Sequence, residues 1–284
     1  MRVLVTGGKG MLGSDVCREF SAANHEVIPV TSGHFDISDT DATLRYIRDI
    51  RPDYIIHTAA YTDVDGCERN PDIAYRVNAL GTWNVAAAAT EVGAALVAIS
   101  TDFVFDGQKG EPYTEFDAVN PLGVYAASKL QGEQLAIRAC PRTYVARTSW
   151  LYGVDGKCFP QTMLRLAETR PELSVVGDQT GTPTFTLDLA QALLDVIRQP
   201  LYGIYHMSNS GQTTWHGFAQ ATLSAAGKGQ VNVKAIRSED WPSPTKRPSY
   251  SVLRSYVREL QGKPAMRPWQ EALAHYLELT GQRA

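Results

Sequence analysis

From residue 2 onward the chain alternates between short apolar runs of strand composition and longer stretches whose apolar positions recur every three to four residues. Arg2–Thr6 (RVLVT), Glu26–Val30 (EVIPV), Asp53–His57 (DYIIH) and Ala95–Ser100 (ALVAIS) read as strands. Leu12, Val16 and Phe20 mark one face of a helix after the first of them. A second helix opens after HFDISD, capped near Ser38 or Asp39, and a third runs from Pro71 through VNALGTWNVAAAA. Asn78 lies inside that third, apolar helix, where an asparagine is expected to bond backbone. Strand and helix thus alternate four times before residue 101, which predicts an α/β fold built on a parallel, doubly wound sheet with ligands at its carboxyl edge. Thr143–Arg147 (TYVAR) reads as a fifth strand. Beyond it the alternation turns irregular: helical MLRLAE, strand-like LSVVG, a Gly- and Thr-rich loop GDQTGTPT, helical LDLAQALLDVI, strand-like GIYHM, a helix from Thr214 to Ala226, strand-like VNVKAI and the Pro-rich WPSPTKRP.

Composition narrows the class. The 284 residues are 44% hydrophobic and 20% charged, ordinary for a soluble chain of one or two domains. A net charge of -3 and the absence of any basic run argue against a nucleic-acid or acidic-membrane binder. The four cysteines, Cys17, Cys67, Cys140 and Cys158, have no CxxC spacing, which fits reduced thiols in a cytoplasmic protein. The opening MRVLVTGG has no export-signal pattern, and no apolar run approaches the ~20 residues of a membrane span.

Two stretches carry chemistry. The strand RVLVT is followed by Gly7, Gly10 and Gly13 in GGKGMLG and then by a helix, so backbone N–H groups can approach a pyrophosphate at a helix N-terminus. The spacing is GxxGxxG rather than GxGxxG, and a bare glycine turn is the bland alternative. At the end of the second strand stand Thr31, Ser32, Gly33 and His34, where an acidic residue would bind a ribose 2'-hydroxyl and favour NAD. Nothing there repels a 2'-phosphate and Lys9 can attract one, so the lean is to NADPH, with NADH as the other choice. Asp36 and Ile37 suit contact with the adenine ring, although Asp36 is equally well read as a capping residue. The second stretch is GVYAASKLQGE, with Tyr125 and Lys129 four residues apart on one helical face. An ammonium at ~4 to 5 Å supplies roughly the 2.7 kcal/mol needed to lower a phenol by about two pH units, which makes Tyr125 an acid. Chance alone gives about 0.4 such pairs in a chain with 13 Tyr, so the motif is weak by itself. Thr101 ends a strand on the ligand edge, and a Ser/Thr-Tyr-Lys site results. The division expected is a dinucleotide-binding Rossmann-type domain over 1–150 and a smaller mixed α/β substrate lobe over 151–284, with some segments returning to the first domain.

Taken together, GGKGMLG, HTAAYTDVD, STDFVFDG, NPLGVYAASKLQGE, RTSWLYG, GDQTGTPT and RPSYSVL make the sequence resemble the extended short-chain dehydrogenase/reductases, and within them the dTDP-4-dehydrorhamnose reductase family. That resemblance implies hydride transfer from a nicotinamide to C4 of a nucleotide-linked 4-keto-6-deoxyhexose, giving dTDP-L-rhamnose. It implies Tyr125 as proton donor, Lys129 as the group that lowers its pKa and binds the nicotinamide ribose, and Thr101 as hydrogen-bond partner of the substrate carbonyl. Gly7, Gly10, Met11, Leu12, Gly13, Asp36, Ile37, Ala59, Ala60 and Tyr61 would touch the dinucleotide. Asp102 and Trp150 would touch the sugar nucleotide, and Arg247 is a candidate for its phosphate, against the bland reading of a surface arginine beside proline. Some members bind magnesium at a dimer contact through glutamates; here Asp15 and Leu187 stand at or beside those positions, so no metal is expected, while a homodimer is. Three rivals share the fold. A 4,6-dehydratase would put a glutamate where Phe103 stands, a 4-epimerase would carry a ribose-binding acid, and a regulatory subunit of methionine adenosyltransferase type would keep the Tyr-Lys pair without turnover.

Overall fold

The computed structural model describes all 284 residues. In chain order its first half contains β1 (Arg2–Thr6), α1 (Met11–Ala22), β2 (Glu26–Val30), α2 (Thr40–Ile50), β3 (Tyr54–His57), α3 (Val64–Arg69), α4 (Pro71–Ala74), α5 (Thr82–Val92), β4 (Ala95–Thr101), α6 (Val124–Ala139) and β5 (Thr143–Thr148). The second half continues with β6 (Leu151–Tyr152), α7 (Phe159–Leu166), β7 (Glu172–Val176), β8 (Thr180–Gly181), β9 (Thr184–Phe185), α8 (Thr186–Val196), β10 (Gly203–His206), β11 (Thr213–Thr214), α9 (Trp215–Ala225), β12 (Asn232–Ile236), α10 (Tyr256–Leu260) and α11 (Trp269–Leu279). Six strands form one sheet in the order β10-β5-β4-β3-β1-β2, every pairing parallel. The strand order reverses at β1, so a crevice opens between the carboxyl ends of β1 and β3.

Both faces of this sheet are covered, which is why its strands read as continuous apolar runs. Side chains alternate across each strand. Val3, Val5, Ile56, Val97 and Ala146 point to one face, where α1 brings Val16 and Phe20 and α8 brings Leu189, Ala190 and Leu193. Leu4, Ile55, Leu96 and Ala98 point to the other, under Ile47 of α2, Val85 and Ala89 of α5 and Ala136 of α6. The strand GIYHM thus joins the main sheet beside β5, and the helix before it covers that sheet. A third cluster gathers Tyr152, Phe185, Phe218, Trp269, Leu273 and Tyr276 from the mixed second half. Its strands form only pairs: β6 with β9 and β7 with β12, both parallel, and β8 with β11, antiparallel. No helix is long and apolar enough to cross a membrane.

The helix expected to run unbroken from Pro71 differs in its middle. Residues Tyr75–Gly81 form π-helix between α4 and α5. The widened turn holds Asn78, whose amide accepts from Tyr61 N at 2.8 Å and donates to Tyr61 O at 3.1 Å and to Ser128 Oγ at 3.1 Å. The same turn packs tightly on α6, since a Cβ at Gly132 would lie 2.3 Å from the Asn78 carbonyl oxygen. Such local expansions of a helix mark functional sites.

Candidate active site

One cavity of about 850 Å³ runs along the carboxyl edge of the sheet, from the glycine turn after β1 to the end of β5. At its first end Gly7 adopts φ +68°, and Gly10 N bonds Gly7 O at 2.8 Å. A Cβ on Gly13 would come within 2.2 Å of the Gly7 carbonyl oxygen, and one on Gly7 within 2.9 Å of Ala59 N. The turn is therefore a cradle that side chains would fill. No side chain caps α1 at Gly10, which leaves its first N–H groups free for an anion. Gly7, Gly10, Met11, Leu12, Gly13, Asp36, Ile37, Ala59 and Ala60 all line the cavity, with Lys9, Thr31 and Ser32 beside them. Asp36 is also a local cap: its carboxylate accepts from Ser38 N and Oγ, both at 2.9 Å, while Asp39 caps α2.

At the other end stand Thr101, the last residue of β4, Asp102 after it, Tyr125 and Lys129 on α6, and Ser149 and Trp150 after β5. Position i and i+4 on one helix do bring Tyr125 and Lys129 to the same cavity. The expected electrostatics differ. Burial pushes the Tyr125 phenol above its ordinary range, opposed by a hydrogen bond with Thr101 and reinforced by the Asp102 carboxylate. Lys129 donates instead to the Ile99 carbonyl of β4 at 2.7 Å. Burial draws its ammonium down to about 8, opposed by Glu133. The lysine was expected to acidify the phenol; desolvation outweighs it, because the ammonium is aimed at the neighbouring strand. His57, at the end of β3, is held between Thr6 Oγ1 (2.7 Å) and Thr82 Oγ1 (3.1 Å), and burial together with Lys129 lowers it to about 3.

Asp102 is a second perturbed acid in the cavity. It is 2% exposed, and burial raises its carboxyl to about 7 against hydrogen bonds from Ser251 and Thr101. Phe103, where a glutamate would stand in a dehydratase, sets its ring edge against Tyr125 at 6.1 Å. Trp150 takes a left-handed backbone, φ +46°, and stacks on Trp215 with centroids 3.7 Å apart and planes 8° from parallel. Both indoles line the cavity.

Two expected site residues stand apart. Tyr61 is outside the cavity lining: its hydroxyl packs over Gly66, within 2.3 Å of where a Cβ there would sit, and its backbone is clamped by Asn78. Arg247 is outside the cavity lining, its guanidinium paired with Asp65 at 3.0 Å and bonded to Ser243. Sequence reading missed Trp215, Ser149 and Ser251, which reach the site from segments up to 149 residues away from their partners, as between Ser251 and Asp102. Ser149 and Ser251 do fall within RTSWLYG and RPSYSVL, while nothing local marks Trp215. Asp15, beside the family's magnesium position, accepts from Arg18 and from Thr186 Oγ1.

Comparison with known proteins gives a consistent picture. The model of the RmlD substrate binding domain family matches residues 1–281. A dTDP-4-dehydrorhamnose reductase of Mycobacterium tuberculosis is 42% identical over 279 residues, covering 96% of this chain and 91% of its own length. The crystal structure of a dTDP-4-dehydrorhamnose reductase from Clostridium acetobutylicum superposes with TM-score 0.96 at 44% identity, covering 99% of this chain and all (100%) of that one. That of the Bacillus anthracis enzyme in complex with NADP gives 0.96 at 40% identity, covering 98% and 99%.

Proposed function

We infer the reaction from one premise: the chain belongs to the dTDP-4-dehydrorhamnose reductase family. It reduces the C4 ketone of dTDP-4-dehydro-6-deoxy-L-mannose to dTDP-L-rhamnose with NADPH. The observation that carries this is the meeting of Thr101, Tyr125 and Lys129 in the same cavity as an unfilled glycine cradle. When bound, NADPH supplies the hydride that reaches C4. Gly10, Met11, Leu12 and Gly13 hold its pyrophosphate at the start of α1, and Asp36, Ile37, Ala59 and Ala60 border its adenosine. The hydroxyls of Thr31 and Ser32 with the Lys9 ammonium accept its 2'-phosphate, and no carboxylate at the end of β2 opposes them.

Thr101 turns its hydroxyl from Asp102 to the substrate carbonyl oxygen, and Tyr125 protonates the alkoxide as it forms. A high phenol pKa suits this direction of reaction. It keeps Tyr125 protonated until the hydride arrives, and a secondary alkoxide is the stronger base, so the proton still moves downhill. Lys129 binds the nicotinamide ribose. Asp102, Trp150 and Trp215 border the sugar, and Phe103 offers no acid for eliminating a hydroxyl. Residues 1–150 supply the dinucleotide site and 151–284 the substrate lobe, with α8 and β10 returning to the sheet. Four free cysteines fit a cytoplasmic setting.

Incubation with the dTDP-linked 4-keto-6-deoxyhexose and NADPH tests the reading. We expect stoichiometric loss of reduced-nicotinamide absorbance and a dTDP-rhamnose product. Cofactor and substrate binding without oxidation would instead make the chain a regulator.

A further inference from the structure

The most heavily built polar cluster lies behind the cavity. Glu133 of α6 and Arg147 of β5 are each 3% exposed at the side chain. Arg147 Nε donates to the two carboxylate oxygens at 3.0 and 3.2 Å and Nη2 donates to one at 2.8 Å. Ser100 Oγ donates to the same carboxylate. Ser100 and Arg147 are register partners on adjacent strands, one residue before the paired Thr101 and Thr148, and the guanidinium lies 5.4 Å over the Phe105 ring. The cluster thus ties α6, β4 and β5 together directly beneath the reacting groups. Replacing such a pair by apolar residues is often neutral or stabilising, so stability alone gives weak reason to keep it.

Tyr125, Lys129 and Glu133 follow one another at four-residue intervals along one face of α6. Lys129 is 7% exposed, and its nitrogen has a neutral carbonyl as partner. A buried ammonium so placed sheds its proton readily unless a carboxylate stands close. We propose that Glu133 is a positioning residue for the reduction: gripped by Arg147 and Ser100, its carboxylate supports the Lys129 ammonium one helical turn away. Of the titratable and charged groups packed around Lys129, Tyr125 on its own helix and His57 on β3 are held neutral near neutrality by burial, Arg147 on β5 is paired with Glu133, and Asp102 after β4, which burial raises to about 7, ionises as the pH rises through neutrality. Glu133 is the carboxylate on the Lys129 face of α6 that supports the charge. The bidentate grip of Arg147 fixes where that carboxylate lies.

The catalytic part of this role rests on the proposed reaction; the effect on Lys129 does not. In full-length protein carrying lysine labelled at the ε-carbon, NMR titration follows Lys129, assigned through Lys129→Met. Glu133→Gln should lower its titration by about one pH unit or more, a tenfold loss of proton affinity, and move the alkaline limb of kcat/KM down by the same interval. A Lys129 titration and an alkaline limb both unmoved, with activity lost evenly at every pH, would make Glu133 structural and overturn the proposal. Because Glu133→Gln strands a buried guanidinium, the pair Glu133→Gln with Arg147→Met serves where the single variant fails to fold, and the same shift is expected. If wild type oxidises no NADPH, the reaction is wrong, while the titration still decides what Glu133 does to Lys129.

Discussion

Replacing Asp102 by asparagine should make the protein more stable, and increasingly so as the pH rises. In the folded chain burial lifts this carboxyl from 3.8 to about 7. Between those values the native state binds a proton that the unfolded chain has released. Native stability is therefore full below the unfolded pKa and falls as pH rises to the folded one. About three pH units at about 1.4 kcal/mol each give roughly 4 kcal/mol in all, of which about 3 is lost between about pH 5 and about pH 8. Asparagine carries no such charge. It keeps one acceptor for Thr101 or Ser251 and loses the other, at a cost of about 1 kcal/mol that does not depend on pH. His57 and His206, both lowered to about 3 by burial, oppose this trend at acid pH, but equally in both proteins. Urea unfolding of wild type and Asp102→Asn at about pH 5 and about pH 8 should show the stability difference growing by about 3 kcal/mol in favour of the variant. A difference that stays constant with pH would refute the reasoning. The wild-type carboxylate weakens the fold where a sugar hydroxyl would otherwise be satisfied, which is the trade expected of a working site.

Tyr125→Phe should cost on the order of 10² to 10⁴ in kcat while leaving the NADPH dissociation constant within about twofold, since only the proton is removed; turnover near wild type in a stopped-flow assay would overturn the assignment. Gly13→Ala puts a methyl 2.2 Å from the Gly7 carbonyl oxygen, a backbone atom with nowhere to move, so NADPH binding by fluorescence titration should weaken at least about tenfold. Trp215→Ala removes the face on which Trp150 rests and should raise KM for the sugar nucleotide about tenfold with kcat little changed, an aromatic contact being worth about 1 kcal/mol beyond its buried area.

Much of the first half is legible because local signals there are redundant. The runs RVLVT and EVIPV fall on β1 and β2 residue for residue, and Asp39 caps α2 as its type suggests. The glycine turn is readable since only glycine tolerates what Gly7 and Gly13 face. Elsewhere long-range contacts decide. The π-helical turn at Asn78 answers to the Tyr61 loop and to Gly132, and neither lies nearby in sequence. Spacing puts Tyr125 and Lys129 on one side of a helix, yet it cannot say that the ammonium turns to Ile99 or that desolvation governs the phenol. Arg247 looks like a free cation in KRPSYS until Asp65 comes beside it. Trp215 follows an unremarkable pair of threonines, and its stacking depends on a left-handed residue 65 positions earlier, Trp150.

The late return of α8 and β10 has a consequence for how the chain is made. When a ribosome has delivered only the first 150 residues, Val3, Val5, Val16 and Phe20 have no cover from Leu189 and Leu193, and β5 presents an open edge that Gly203–His206 later closes. A nascent chain in that state shows both a bare apolar face and an unpaired strand, the two features that invite self-association. Cutting the polypeptide near its middle would not release a working cofactor module. The sheet that carries the nucleotide crevice gains its cover and its last strand only after the chain has been synthesised past residue 206, so the two halves acquire their shape together.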